Sequence, residues 1–360
     1  MNQRADLKRE IPEGYLKYTG RKVMIIILLI LLTVLVGVLA ITSGSADLTA
    51  RQVVMTFLGE GSESSQLVIW NIRLPRVLAA IIAGAGLSVA GCVMQNILRN
   101  PLASPFTLGI SQGAAFGAAL AIVVLGAGSI QSSSADAVIS NNPYLVTISA
   151  FIWSMAATLV MLFLTKFVGV NPEAMVLAGV ALGSLFAAAT TLIQFFAQDV
   201  QVAAIVFWTF GDLGRVSWSN VNMMFFLVTL TLFYYMLHRW DYNALDSGEE
   251  TAKGLGVEVE KLRVGGMLLS SLITSVAVAF MGIIGFIGLV APHMMRRVIG
   301  GDHRFLIPGS AVMGSLLLLA SDTLARTIIK PVTLPVGAIT SFMGAPLFLY
   351  LLLSRRSNRR

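Results

Sequence analysis

Long apolar runs separated by short polar gaps recur along the whole chain. The clearest lies between Arg76 and Arg99, where 22 consecutive residues carry no charge, close to the ~20 that a helix needs to cross the hydrocarbon of a bilayer. Pro75 suits an early helical position, where no N–H partner is required. Arg99-Asn100-Pro101 stops the helix and Pro105 prevents an immediate restart, leaving a short rigid turn. Inside the run, Ala80, Gly84, Gly86, Ala90 and Gly91 thin one side, so that another backbone can approach closely. This helix is expected to be surrounded by protein.

The same pattern predicts ten spans. Residues 23–42 form the first, the run after Arg76 the second and 106–125 the third, followed by a Ser/Ala/Asn-rich loop over 126–142. Spans four and five cover 145–167 and 174–196, joined by a tight turn at Gly169-Val170-Asn171-Pro172-Glu173. Residues 202–210 are too short to cross and are placed at the outer interface with Trp208 and Trp218. Span six covers 221–237, and the longest polar interruption, 239–263, follows. The next uncharged run, 264–295, has 32 residues with Gly282, Gly285 and Gly288 spaced through it. It is too long for one crossing and is split at the glycines into span seven and a short span eight. Spans nine and ten cover 306–325 and 336–353. Eight spans is the alternative, with the Gly-rich run or the last span read differently.

With 56% hydrophobic and 12% charged residues and a mean hydropathy of +0.81, the chain is far more apolar than a soluble domain, in which about 25% of residues are charged. The net charge of +7 raises nucleic acid as a partner. However, the positive residues sit between the runs and at the termini, where membrane topology accounts for them, and nucleic acid is discarded. Arg51, Arg73, Arg76, Arg215, Arg326 and Lys330 fall on one side, and the rest of the 25 Lys and Arg on the other. The positive-inside rule makes that richer side cytoplasmic, together with both termini. The single cysteine, Cys92, excludes an intrachain disulfide and a cysteine metal cluster. The first run is longer than the ~7 to 15 residues of a signal h-region, so it reads as an uncleaved span. The chain thus divides into a basic cytoplasmic arm at 1–22, a transmembrane domain at 23–354 and a basic cytoplasmic tail at 355–360.

Chemistry is sparse inside the spans, since Asp199, Asp212 and Asp322 all fall near outer ends. Ion-coupled carriers need carboxylates or histidines at membrane depth, and an intramembrane enzyme needs a nucleophile with a base or a metal cluster; neither pattern appears. His293 and His303 lack a nearby third ligand and read as surface or helix-end residues. A GxxxxGK[ST] phosphate loop is also missing from the sequence, so the energy must come from a partner unless the chain is a passive pore. The segment that suits such a partner is LDSGEETAKGLGVEVEKLR at 245–263. There Gly248, Gly254 and Gly256 predict two short helices with a sharp bend; an ordinary polar loop is the alternative. Arg73 and Arg76, three apart, share the first turn of span two. With Arg326 they need an anion, which lipid phosphate, Asp322 or an acidic partner could supply.

RLPR at 73–76, the Gly-rich span, Met94-Gln95, and RNPLASP at 99–105 running into LGISQGA at 108–114 form one ordered series. It resembles the FecCD-type permease family of type II ABC importers, which carry iron-siderophores, haem and cobalamin. SGEETAKGLGV at 247–257, PHMMRR at 292–297, GDHR at 301–304 and the W-x-x-G-x-L element at 208–213 match the same family pattern. The resemblance implies an all-α permease of about ten transmembrane helices, working as a homodimer in the cytoplasmic (inner) membrane of a prokaryote. Two cytoplasmic ATPase subunits would bind ATP-Mg, and an extracytoplasmic binding protein would deliver substrate. This chain would bind no cofactor and catalyse no reaction. By position, Arg73, Arg76 and Arg326 would receive acidic residues of the binding protein, and Asn100 and Leu102 would help form a cytoplasmic gate. Gly248, Glu249, Glu250, Ala252, Leu255 and Gly256 would contact the ATPase. The implied cargo is a metal chelate, foremost an iron(III)-siderophore, with haem or cobalamin as alternatives.

Overall fold

The structure, a computed structural model, describes residues 13–44, 49–130, 138–140, 142–168, 172–329 and 332–357. A long first helix, α1 (Glu13–Thr42), leads to two short ones, α2 (Ala50–Phe57) and α3 (Glu63–Leu67). A π-helical turn (Val68–Arg73) runs directly into α4 (Leu74–Ile97), and α5 (Ile110–Val123) follows. Within the expected loop over 126–142 a small antiparallel hairpin pairs β1 (Gly128–Ile130) with β2 (Val138–Ser140). Next come α6 (Pro143–Val168), α7 (Pro172–Phe196), α8 (Asp199–Thr209) and α9 (Trp218–Leu237). The turn expected at residues 169–173 lies mostly outside the described residues.

The polar interruption holds α10 (Arg239–Asp246) and α11 (Glu249–Gly254), and the chain closes with α12 (Val259–Met281), α13 (Ile287–Ile299), α14 (His303–Thr327) and α15 (Val336–Ser357). Among the described residues, seven helices are long and apolar enough to cross a membrane. The three other expected spans are the shorter α5 and α13 and, in α15, the apolar stretch Val336–Tyr350. At 1.5 Å per residue the 13 residues of α13 extend about 20 Å, less than the ~30 Å of hydrocarbon. The 264–295 run does divide at its glycines. Gly282 (φ 77°) and Phe286 (φ 67°) both turn through the left-handed region, and a Cβ at Gly282 would meet the Trp208 carbonyl oxygen at 2.4 Å.

Helix α4 is the centre of the bundle, packed by α9, α12, α13 and α14. Its small residues decide how close those neighbours come: a Cβ at Gly84 would lie 2.4 Å from the Gly314 carbonyl oxygen, and one at Gly91 only 1.7 Å from that of Gly288. Such contacts replace the hydrophobic drive that is missing between helices in lipid, and buried hydroxyls add to them. Ser88 Oγ donates to the Ser310 carbonyl and Ser315 Oγ to the Ile81 carbonyl, both at 2.7 Å. One apolar cluster surrounds the first half of α4, with Val77, Ala80, Leu213 and Leu318. Another surrounds its last turn, with Met94, Ile97, Leu98, Tyr242, Leu245, Ala252 and Leu262. By contrast, α1 and α7 leave most of their surface outside the bundle.

Candidate functional site

The three predicted arginines converge at the end of the bundle where α4 begins. Arg73 closes the π-turn, an irregularity that recurs at functional positions, and the Trp218 indole donates to the Trp70 carbonyl in the same turn at 2.9 Å. Arg73 Nη1 donates to the Ile41 and Thr42 carbonyls at 2.6 and 3.2 Å, at the carboxy end of α1. Arg326 reaches the same helix end, donating to the Ser43 and Ala40 carbonyls at 3.0 and 3.2 Å. A helix terminus leaves its last carbonyls without partners and carries partial negative charge, so two guanidinium groups satisfy it on both counts.

Arg76 turns the other way. Its Nε lies 2.9 Å from Asp322 Oδ1 and its Nη2 2.8 Å, with Asp212 Oδ1 at 3.5 Å. Asp322 Oδ2 takes Arg326 Nε at 3.1 Å, one turn along α14. Arg73, Arg76 and Arg326 are 4%, 8% and 9% exposed and Asp322 is fully buried. Asp322 therefore supplies from within the chain the anion that the adjacent arginines need. Three cations against Asp322 and the half-exposed Asp212 leave the cluster itself one charge positive.

At the opposite end of α4 the chain reverses in a Schellman turn. The Arg99 N–H bonds the Asn96 carbonyl at 3.0 Å and the Asn100 N–H the Gln95 carbonyl at 3.1 Å. Arg99 itself takes φ 46°, a conformation that usually goes to Gly or Asn. Asn100 Oδ1 then accepts the Leu102 N–H at 2.9 Å, an Asx turn before Pro105, which leaves Leu102 exposed.

Beside this turn lies the 245–263 segment. Gly248 (φ 121°) separates α10 from α11, and Gly256 (φ 86°) turns the chain toward α12. Gly254, expected to break the segment, is instead the last residue of α11. Ala252 is buried in the apolar cluster that includes the end of α4, whereas Leu255 is 70% exposed and the Glu250 side chain 94% exposed. Glu249 divides its oxygens, Oε2 to Arg263 Nη2 at 2.7 Å and Oε1 to Lys253 Nζ at 3.1 Å. The bond from Arg263, with that from Lys253, holds the Glu249 carboxyl below its ordinary range.

Further polar ties were hidden from sequence reasoning. Asn96 Nδ2 donates to the Tyr242 carbonyl at 3.0 Å and to Asp246 Oδ1 at 2.7 Å, while burial pushes the Asp246 carboxyl up. Asn243 bonds Asp302 at 3.1 Å and accepts the His303 N–H at 2.8 Å. Burial raises the Asp302 carboxyl, yet the hydrogen bonds from Arg304 and Asn243 outweigh it and bring it down to about 2. His293 and His303 are buried rather than on the surface; the His303 ring meets Asn243 Oδ1 at 3.0 Å and His293 packs on Phe348. The i,i+4 spacings of Asp322 with Arg326 and of Glu249 with Lys253 signalled those two pairings in the sequence.

Known proteins share this architecture. The family model described as the FecCD transport family matches residues 29–354. An ABC transporter permease protein of Methanocaldococcus jannaschii is 56% identical over 344 residues, covering 96% of this chain and 98% of that one. The hemin transport system permease protein of Yersinia pestis is 39% identical over 340 residues, covering 94% and 97%. A solved structure described as an inward-facing conformation of a metal-chelate type ABC transporter aligns with 92% of this chain and 99% of its own, at a TM-score of 0.79 and 31% identity. With its all-α helical bundle, its membrane-crossing helices and this match along nearly its whole length, the chain is a multi-pass membrane protein belonging to the FecCD transport family.

Proposed function

We propose that this chain is the membrane permease of an ATP-driven ABC importer for a metal chelate. It works as a homodimer with two ATPase subunits, which bind ATP-Mg, and a substrate-binding protein. The observation that carries this reading, beside family membership, is what lies at the two ends of α4. One end holds the buried arginine cluster. The other holds the Arg99–Leu102 turn and, packed against it, an α11 whose Glu250 and Leu255 project outward.

On this reading the arginine end faces the binding protein, and the α10–α11 end faces the cytoplasm with both termini. An arriving glutamate would compete with the neutral carbonyls of α1 for Arg73, because a carboxylate adds its own charge and a bidentate geometry that a lone carbonyl lacks. Leu255 and Glu250 would seat in the ATPase, whose closure on ATP moves α11. The spans then rock so that the path opens inward at Asn100 and Leu102, and no bond of the substrate is made or broken. A ferric siderophore is the foremost cargo, with haem and cobalamin the alternatives; the likeness to a hemin permease makes haem the first comparison.

ATP hydrolysis by the permease–ATPase complex in liposomes, with and without binding protein loaded with ferric siderophore, haem or cobalamin, tests this reading. Stimulation together with uptake for one chelate identifies the cargo. Failure to assemble with any ATPase overturns the reading.

A further inference from the structure

The last four carbonyls of α4 all have partners, and one of those partners is distant. Met94, Gln95 and Asn96 accept the N–H groups of Leu98, Asn100 and Arg99 at 3.0, 3.1 and 3.0 Å. The Ile97 carbonyl instead accepts Arg263 Nε at 3.1 Å, from 166 residues along the chain. Arg263 therefore caps α4 where the chain enters the Arg99–Leu102 turn.

The same guanidinium holds Glu249, the first residue of α11, through Nη2 at 2.7 Å. The Arg263 side chain is 3% exposed, and its planar fork fixes Nε and Nη2 relative to one another. A displacement of Glu249 is thus passed to the Ile97 carbonyl with little absorbed by side-chain rotation. Asn96, one residue earlier, ties the same helix end to Tyr242 and Asp246 on α10. Ala252 seats α11 in the apolar cluster that contains Ile97, Leu98 and Ala103.

We propose that Arg263 is the positioning residue that makes α11 and the turn after α4 move as one body, carrying ATP-driven motion of α11 to the gate. This inference rests on reading 245–263 as the ATPase-docking segment. A lysine would keep the charge but not the fork, since one ammonium cannot replace two fixed N–H donors. Arg263→Lys therefore separates a coupling role from simple neutralisation of Glu249.

The test uses the reconstituted permease–ATPase complex with nitroxide labels at Leu102→Cys and Thr251→Cys on one protomer only, in a Cys92→Ala background, uptake being measured without labels. Both label positions are exposed and Cys92 is the single native cysteine. With Arg263 intact, the distance between the labels is expected to stay single and unchanged on adding ATP. In Arg263→Lys and Arg263→Gln it should broaden with ATP. Uptake of ferric siderophore or haem per ATP hydrolysed should fall about tenfold, the scale of one lost charge-assisted hydrogen bond, while assembly and ATP turnover persist. Glu249→Gln, at the half-buried end of the link, should lower uptake per ATP in the same direction, and it covers the case in which the Arg263 variants do not fold. Wild-type uptake per ATP in the Arg263 variants, or in Glu249→Gln where those do not fold, overturns the link alone. So does a wild-type label distance that shifts with ATP. A wild-type chain that assembles with no ATPase overturns the link and the functional reading together.

Discussion

Arg76 and Asp322 stand 246 residues apart in the chain, yet Arg76 Nη2 lies 2.8 Å from Asp322 Oδ1 at a buried end of the helix bundle. Asp322 also takes Arg326, so one carboxylate joins the start of α4 to the end of α14. Breaking a buried pair from one side leaves the remaining charge uncompensated, at a cost of about 3–5 kcal/mol. Asp322→Asn should therefore lower the thermal unfolding temperature of the purified protein in detergent. Adding Arg76→Gln to it should recover part of the loss, because Arg326 alone is then left without its carboxylate. An unchanged unfolding temperature in Asp322→Asn would show that the pair contributes nothing.

Arg73 offers the cleaner test of docking, since its Nη1 hydrogen-bonds to the neutral Ile41 and Thr42 carbonyls. Arg73→Glu should weaken binding of the substrate-binding protein to the reconstituted complex by roughly tenfold at low ionic strength. The loss should shrink at high salt as the charges are screened. Equal affinities for wild type and variant across the salt series would remove Arg73 from the docking surface.

Two glycines predict opposite outcomes. A Cβ at Gly91 collides with the Gly288 backbone, whereas nothing lies within 4 Å of one at Gly254. Gly91→Ala must push α13 off α4 and should cost at least the ~1–3 kcal/mol typical of overpacking. Gly254→Ala, at the helical end of α11, should be neutral or stabilising by up to ~1 kcal/mol. Thermal unfolding of the two variants side by side checks both; equal effects would contradict the close α4–α13 approach.

Asp302 and Glu249 titrate below their ordinary values of 3.8 and 4.5 in the folded chain. A depressed carboxyl stabilises the fold above its unfolded value, and that contribution is lost as pH falls through the folded one. Stability should thus decline from about pH 4.5 toward pH 2. Asp246, raised by burial, works in the opposite sense and is relieved by protonation. Asp302→Asn should begin less stable at neutral pH and decline less steeply in acid, as followed by unfolding temperature against pH. An acid profile parallel to wild type would mean that Asp302 carries none of the dependence.

The span pattern was legible because lipid leaves few alternatives to a helix with its backbone bonds satisfied internally. The break in the 264–295 run followed from its length and glycines, and the stop after α4 from Asn100 and Pro101. The short span eight followed from the same run, whereas the end of α13 at Ile299, beyond Arg296 and Arg297, did not, since hydropathy measures apolar length and not where a helix ends. Gly254 ends α11, and the bend itself falls at Gly256, where the backbone takes a positive φ.

By itself the sequence determined that the chain is a membrane-crossing helical bundle, and it marked Arg73, Arg76, Arg326, the Asn100 turn and the 245–263 segment for attention. Only the tertiary structure decided what those groups touch: Asp322 between two arginines, the carbonyls of α1 on Arg73 and Arg326, and Arg263 between Glu249 and Ile97. Local spacing governs helix formation, because every backbone bond of a helix closes within four residues. The partner of a buried charge is set by which helices pack together, and here that depended on the close backbone approaches that Gly84, Gly91, Gly288 and Gly314 permit.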